Sequence, residues 1–115
     1  MSVMSKVYEQ LNENAFVETA EEFSTSFCRR SKSWYAVQKK KNGDLSIPVA
    51  INCLNAVKVK IALAHLRRQK FGSVADSDLQ ILDAVRDQLE EYLLEHHRIA
   101  AVTETPPPKT KMLGN

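Results

Sequence analysis

The sequence is poor in the residue types that build catalytic and metal sites. Its 115 residues include three glycines, two cysteines and three histidines. Three glycines do not supply a glycine-rich phosphate loop, and no histidines, cysteines and carboxylates stand at metal-ligand spacing. His96 and His97 are neighbours, and adjacent side chains on a helix point about 100° apart, so they cannot face one ion together. We therefore expect no enzymatic activity, no cofactor and no metal site.

Long apolar runs are also missing. No window approaches the roughly eighteen uninterrupted apolar residues that a membrane span needs. The first sixteen residues contain Glu9 and Glu13 and no apolar run, which is unlike a secretory signal. Cys28 and Cys53 lie among helix-forming residues, and we expect them to be free thiols in a reducing cytoplasm. These absences predict a cytoplasmic protein without a membrane segment.

Charge is distributed unevenly along the chain. The net charge is +2, yet residues 1–71 hold twelve Lys and Arg against six Asp and Glu, whereas residues 72–115 hold four against eight. Between Arg29 and Lys70 there are eleven basic residues and one acidic residue. Most charge runs are solvated helix faces, but an imbalance of this size favours a polyanionic partner.

Apolar spacing predicts helices throughout, with no internal repeat and no alternating strand. Met4, Val7 and Leu11 predict a first helix that ends near residues 14–16. Thr19 and Glu22 form a capping box that starts a second helix.

Farther along, Ser46 caps a helix that has Pro48 in its first turn and continues to about Lys70, with or without a break near Asn55. Phe71 is expected to anchor the end of that helix on the core, and Gly72 to stop it.

The clearest long helix follows Ser77, which forms a second capping box with Gln80. After it, six residues step by three and four, the a/d spacing of a coiled-coil seam: Leu82, Val85, Leu89, Tyr92, His96 and Ile99. Such a helix either pairs with a second copy or packs wholly within its own chain, and its spacing fits both. The tail after Val102 has three consecutive prolines and should be flexible or polyproline-like.

Residues 19–43, TAEEFSTSFCRRSKSWYAVQKKKNG, form what we call the corner segment. Its pattern predicts two short helices that meet at a tight turn. Phe23 and Phe27 share one face of the first helix, and Trp34 and Val37 share one face of the second. We expect these apolar faces in the core and the basic residues outside. A second helix decorated in this way can lie in a DNA groove.

Residues 19–57 resemble the helix-turn-helix of lambda-repressor-like (Cro-type) transcriptional regulators. The resemblance rests on an apolar-small-apolar pattern, a serine and two apolar residues after the corner, an Asn-Gly turn and a serine-initiated helix: Phe23, Ser24, Phe27, Ser33, Trp34, Val37, Asn42-Gly43 and Ser46-Ile47-Pro48. Two residues depart from the family pattern. Cys28 replaces the usual glycine, and Arg29 stands where the family has a half-buried apolar residue.

The resemblance also implies residue roles. Base edges would be read by Ser31, Lys32 and Ala36 with Tyr35 close by, and phosphates would be contacted by Arg30 and the loop after the second helix. The candidate DNA-binding residues are Arg30, Ser31, Lys32, Ser33, Tyr35, Ala36, Lys39, Lys40, Lys41 and Asn42. A homodimer formed through the seam would place two recognition helices in successive major grooves, about 34 Å apart.

The sequence thus predicts an all-α, lambda-repressor-like helix-turn-helix bundle with an added long helix. Its expected parts are a DNA-binding domain, a long amphipathic helix suited to dimerisation and a flexible Pro-rich tail, at residues 1–72, 73–101 and 102–115. The predicted function is a small dimeric repressor that binds double-stranded DNA. The alternative is a helical adaptor or inhibitor that keeps the same scaffold and binds a protein through residues 78–100.

Overall fold

The computed structural model describes residues 2–71 and 76–97, and within these ranges it contains helices and connecting turns but no strand. This agrees with the predicted all-α class. We number the helices in chain order: α1 (Val3–Glu13), α2 (Ala20–Glu22, continued by the π-helical segment Phe23–Phe27), α3 (Trp34–Lys40), α4 (Ile47–Phe71) and α5 (Asp76–Tyr92, continued by the π-helical segment Leu93–His97).

Helix α1 ends at Glu13 with Asn14 as its C-cap, close to the predicted end near residues 14–16. The Ser2 hydroxyl accepts a hydrogen bond from the Ser5 N–H at 3.1 Å. The carboxylate of Asp44 also accepts the N–H groups of Val3 and Met4, at 3.2 Å and 2.9 Å. A carboxylate at a helix N-terminus satisfies otherwise unpaired amides and complements the helix dipole. These bonds attach the start of α1 to the turn that precedes α4.

The predicted capping box starts α2, but one of its two hydrogen bonds is shifted by one residue. The Thr19 hydroxyl accepts the Glu22 N–H at 3.0 Å. The Glu22 carboxylate accepts the N–H of Glu18 at 2.7 Å. In a capping box the donor would be the N–H of Thr19, one residue later. Beyond Glu22 the helix widens, and the Cys28 N–H donates to the Phe23 carbonyl five residues earlier at 3.1 Å.

Helix α4 is one unbroken helix, so the break considered near Asn55 is not formed. Its start is as predicted, because the Ser46 carbonyl accepts the Ala50 N–H at 2.8 Å. Its length, together with an 18-residue window of mean hydropathy 1.5 within it, would suffice for a membrane span. This is weak evidence of a span, because the core helix of a soluble protein meets the same criterion. One face of α4 does lie in the core: Val49, Ala50, Cys53, Leu54, Val57, Ile61 and Ala64.

Helix α5 returns antiparallel along α4. The ion pair of Arg67 with Asp78, at 3.0 Å, lies near the connection between the two helices. At the far end the Tyr92 hydroxyl donates to the carbonyl of Leu45 at 2.7 Å. Helix α5 begins at Asp76 in the described residues, so Ser77 lies inside the helix and the prediction that it is the cap is wrong.

The seam of α5 is buried within the chain. Leu82, Val85 and Leu89 have no exposed surface and Tyr92 is 8% exposed. They belong to the same hydrophobic cluster as the buried residues of α1 and α4. The predicted dimerisation role of these four residues is therefore wrong in this fold, and the alternative of packing within the monomer describes them.

Several predictions concern residues or side chains outside the described part of the structure. These are the side chain of Phe71 as the anchor of α4, the stop at Gly72, the seam side chain of His96, the seam residue Ile99 and the tail from residue 102.

Candidate nucleic-acid interface

The register of α3 differs by one residue from the prediction. Tyr35, expected near the bases, is 4% exposed, and its ring centroid lies 4.7 Å from that of Tyr8 and 5.6 Å from that of Phe23. Trp34 is only half-buried, and Val37, expected in the core, is 44% exposed. Tyr35 is thus a core residue and cannot contact a base, whereas Val37 is on the solvent side of α3.

Ser24 fixes this register. Its hydroxyl donates to the Ala20 carbonyl at 3.0 Å and accepts the backbone N–H of Tyr35 at 3.0 Å. The amides in the first turn of a helix have no partner within the helix, so this bond satisfies one of them. The small side chain of Ser24 is fully buried and lets the start of α3 approach α2 closely, as the sequence pattern suggests.

The chain turns between α2 and α3 at Cys28 and Arg29. Arg29 has φ 57°, in the left-handed region that glycine often occupies after a helix. The side-chain amide of Asn52 donates to the Cys28 carbonyl at 3.0 Å and joins the turn to α4. The Arg30 N–H donates to the Ser24 carbonyl at 2.9 Å. Arg29 itself is exposed, unlike the half-buried residue that the resemblance implies.

The turn after α3 is closed by Asn42 and Gly43, as the sequence predicts. Asn42 has φ 57°, and the Gly43 N–H donates to the Gln38 carbonyl at 2.7 Å. A Cβ at Gly43 would lie 2.5 Å from the side-chain oxygen of Gln38, so a larger residue there would displace Gln38.

Most of the candidate DNA-binding residues share the solvent-exposed side of the corner segment. Nine of the ten are exposed, with Tyr35 as the exception: Arg30, Ser31, Lys32, Ser33, Ala36, Lys39, Lys40, Lys41 and Asn42. We call these nine residues the basic surface. No acidic residue occurs between Phe23 and Gly43. Positive charge therefore flanks α3 at both ends, and the next carboxylate in sequence is that of Asp44, three residues after Lys41.

Behind this surface, Cys28 and Cys53 are buried free thiols whose sulfur atoms lie 3.4 Å apart. The hydrogen bond with Cys53, followed by burial, raises the pKa of the Cys28 thiol. A thiol that stays protonated is a poor nucleophile. This pair packs the turn against α4.

The described chain is thus a small all-α protein with one core and a basic surface on a helix corner. It belongs to DUF6626, a family of unknown function, whose model matches residues 4–103. No curated protein and no solved structure matches it. Since the matched range extends from α1 through α5, the family includes the α5 helix as well as the corner.

Proposed function

We propose that this chain is a sequence-specific DNA-binding transcriptional regulator, a small cytoplasmic repressor in which α2 and α3 act as a helix-turn-helix. The observation that carries this proposal is the basic surface, with nine exposed polar or small residues around one short helix. Cationic surfaces of this kind attract the phosphate backbone, and a helix with one exposed side suits the major groove.

Phosphate contacts would come from both ends of α3. Arg30 lies before the helix and Lys39, Lys40 and Lys41 lie at its end. Two groups of positive charge on either side of a helix can contact phosphates on the two edges of a groove. Such contacts set register and orientation but carry no sequence information.

Base reading would come from the solvent side of α3 and the turn before it. Lys32 can donate to the acceptor edge of guanine, and Ala36 can contact a thymine methyl group. We add Val37 to this proposed set because its side chain is 44% exposed next to Ala36, and we leave out Tyr35 because it is buried. The proposed readout therefore comes from Ser31, Lys32, Ala36 and Val37.

The helix that would read DNA is held rigidly although it has only seven residues. The Ser24 bond positions its start, the ring of Tyr35 anchors its inner face in the core, and Gly43 closes its end. Rigid placement matters because base contacts need side chains at defined positions. A homodimer on DNA would have to use a surface other than the seam of α5.

A protein-binding function, the alternative predicted through residues 78–100, is favoured by a different observation. The apolar face of α5 is occupied inside the chain, but α4 exposes Val59, Leu63 and Leu66. A protein partner would therefore use α4, and this surface is separate from the basic surface.

The proposal is tested by selecting fragments of genomic DNA with the purified full chain and measuring the affinity of recovered sites by fluorescence anisotropy. A recovered site should bind more tightly than a scrambled duplex of the same composition. No binding to any duplex below about 100 μM at low salt, weaker than ordinary non-specific binding, would contradict the proposal.

A further inference from the structure

A groove of about 840 Å³ lies between the turn after α1 and the C-terminal half of α4. Phe16 forms part of one wall, Leu63 and Leu66 lie along α4, and Asp78 at the start of α5 lies at the rim. Leu63 is 51% exposed and Leu66 is 57% exposed. Such adjoining exposed leucines are typical of an interaction surface.

Helix α4 is apolar on two sides. One side is buried in the core, and the other carries Val59, Leu63 and Leu66 at positions i, i+4 and i+7. Residues at this spacing form a continuous stripe along a helix. The stripe has the length and spacing at which an amphipathic partner helix presents its own apolar residues.

The rim of the groove is positively charged. Lys60 and Lys70 line it, and the carboxylate of Asp78 is already paired with the guanidinium of Arg67 at 3.0 Å. The rim therefore has two lysines in excess of its matched ion pair. Charge complementarity across an interface favours partners that carry carboxylates beside their apolar residues.

This charge pattern disfavours two other occupants. Two copies joined groove to groove would bring the lysines of both rims together. The chain's own residues 98–115 contain three basic residues and one acidic residue, so they have the wrong sign. A flat anionic membrane suits the charge, but the wall at Phe16 makes the surface concave, which fits an inserted helix better.

We propose that this groove, which we call the α4 groove, binds an amphipathic helix of another protein that presents apolar residues flanked by Asp or Glu. The inference goes beyond DNA binding and uses different residues. Asn52 contacts the corner segment at Cys28. Leu63 lies eleven residues after Asn52, which is about 16 Å along α4. Both surfaces can therefore be occupied, and each can fail its test without the other.

The test uses two labelled 18-residue synthetic helical peptides with leucines on one face, one with glutamates flanking the leucines and one with lysines in their place. Fluorescence anisotropy with the full chain should show binding of the glutamate peptide at least about tenfold tighter than of the lysine peptide. The double variant Leu63→Ser, Leu66→Ser should weaken binding of the glutamate peptide by at least about tenfold. Leu94→Ser is the matched control, because Leu94 is 45% exposed away from the groove, and it should leave binding unchanged.

A charge-reversed variant, Lys60→Glu with Lys70→Glu, should reverse the preference between the peptides, and it tests the groove without changing an apolar residue. Circular dichroism melting checks that each variant is folded. Equal binding of both peptides, or no binding below about 1 mM, overturns the proposal. Two further results would overturn it. One is a dimer in sedimentation that Leu63→Ser abolishes. The other is binding of the protein to anionic vesicles that depends on Leu63 and Leu66 while the glutamate peptide does not bind.

Discussion

The hydroxyl of Ser24 and the backbone amide of Tyr35 lie 3.0 Å apart and join α2 to α3. The same hydroxyl donates to the Ala20 carbonyl, so a single buried side chain satisfies groups in two helices. Because the bond fixes which residue of α3 enters the core, it also fixes which residues remain on the basic surface.

Ser24→Ala should lower the free energy of unfolding by about 1–3 kcal/mol, because the Tyr35 amide would be buried without its partner. Ser26→Ala is the matched control. Ser26 lies in the same helix but is exposed, so its loss should stay within about 0.5 kcal/mol. Urea unfolding of both variants measures the difference. Equal losses would show that the bond does not hold the corner.

Tyr35 offers a second comparison. Its hydroxyl is buried and has no hydrogen-bond partner among the described residues. Tyr35→Phe should therefore be neutral or stabilising, since it removes an unsatisfied polar group. Tyr35→Ala should cost about 3–5 kcal/mol, the usual loss for a core aromatic residue. Trp34→Ala should cost less than Tyr35→Ala, because Trp34 is only half-buried. Thermal melting ranks the three, and a larger loss at Trp34 would contradict the observed register.

The raised pKa of Cys28 predicts a loss of stability in alkaline solution. Above the ordinary thiol pKa of about 8.5, the unfolded chain releases the Cys28 proton while the folded chain keeps it. The unfolded state then binds fewer protons, so the free energy of unfolding should fall by up to about 1.4 kcal/mol per pH unit. Urea unfolding between pH 7.5 and 10 should show this slope, and Cys28→Ala should reduce it. An unchanged slope in Cys28→Ala would show that this thiol is not the cause.

Sequence patterns located those features of the fold that depend on neighbouring residues. Thr19 and Glu22 marked the start of α2, and Ser46 marked the start of α4, because a cap is formed by residues three or four apart. The Asn42-Gly43 turn was predictable for the same reason. Helix class likewise follows from local apolar spacing.

What the sequence could not settle depends on contacts between distant residues. Trp34 and Tyr35 are adjacent aromatic residues, and either can face a core; Ser24 and Tyr8 select Tyr35. The spacing of Leu82 and Val85 defines a buried face of α5 but not what covers it. The covering elements are α1 and α4 of the same chain.

Base reading is tested by Lys32→Ala and Val37→Ala on a site recovered from genomic selection. Lys32→Ala should cost about 1–3 kcal/mol on that site and little on a scrambled duplex, because a base contact is lost. Val37→Ala should weaken binding to the site only if a thymine faces α3. Replacing that thymine with uracil, which lacks the methyl group, should therefore remove the effect of Val37→Ala. Equal losses on both duplexes would contradict a base contact by the residue concerned.

The most direct test of DNA binding by the basic surface is the salt dependence of affinity for a scrambled duplex. The triple variant of Lys39, Lys40 and Lys41 to alanine should reduce the slope of log K against log salt by about three units, one for each lost phosphate contact. The control replaces Lys6, Lys58 and Lys70 with alanine, which makes the same change in net charge away from the basic surface. It should leave the slope close to that of the unmodified chain. Equal slopes for the two triple variants would contradict the proposed interface, because only net charge would then matter.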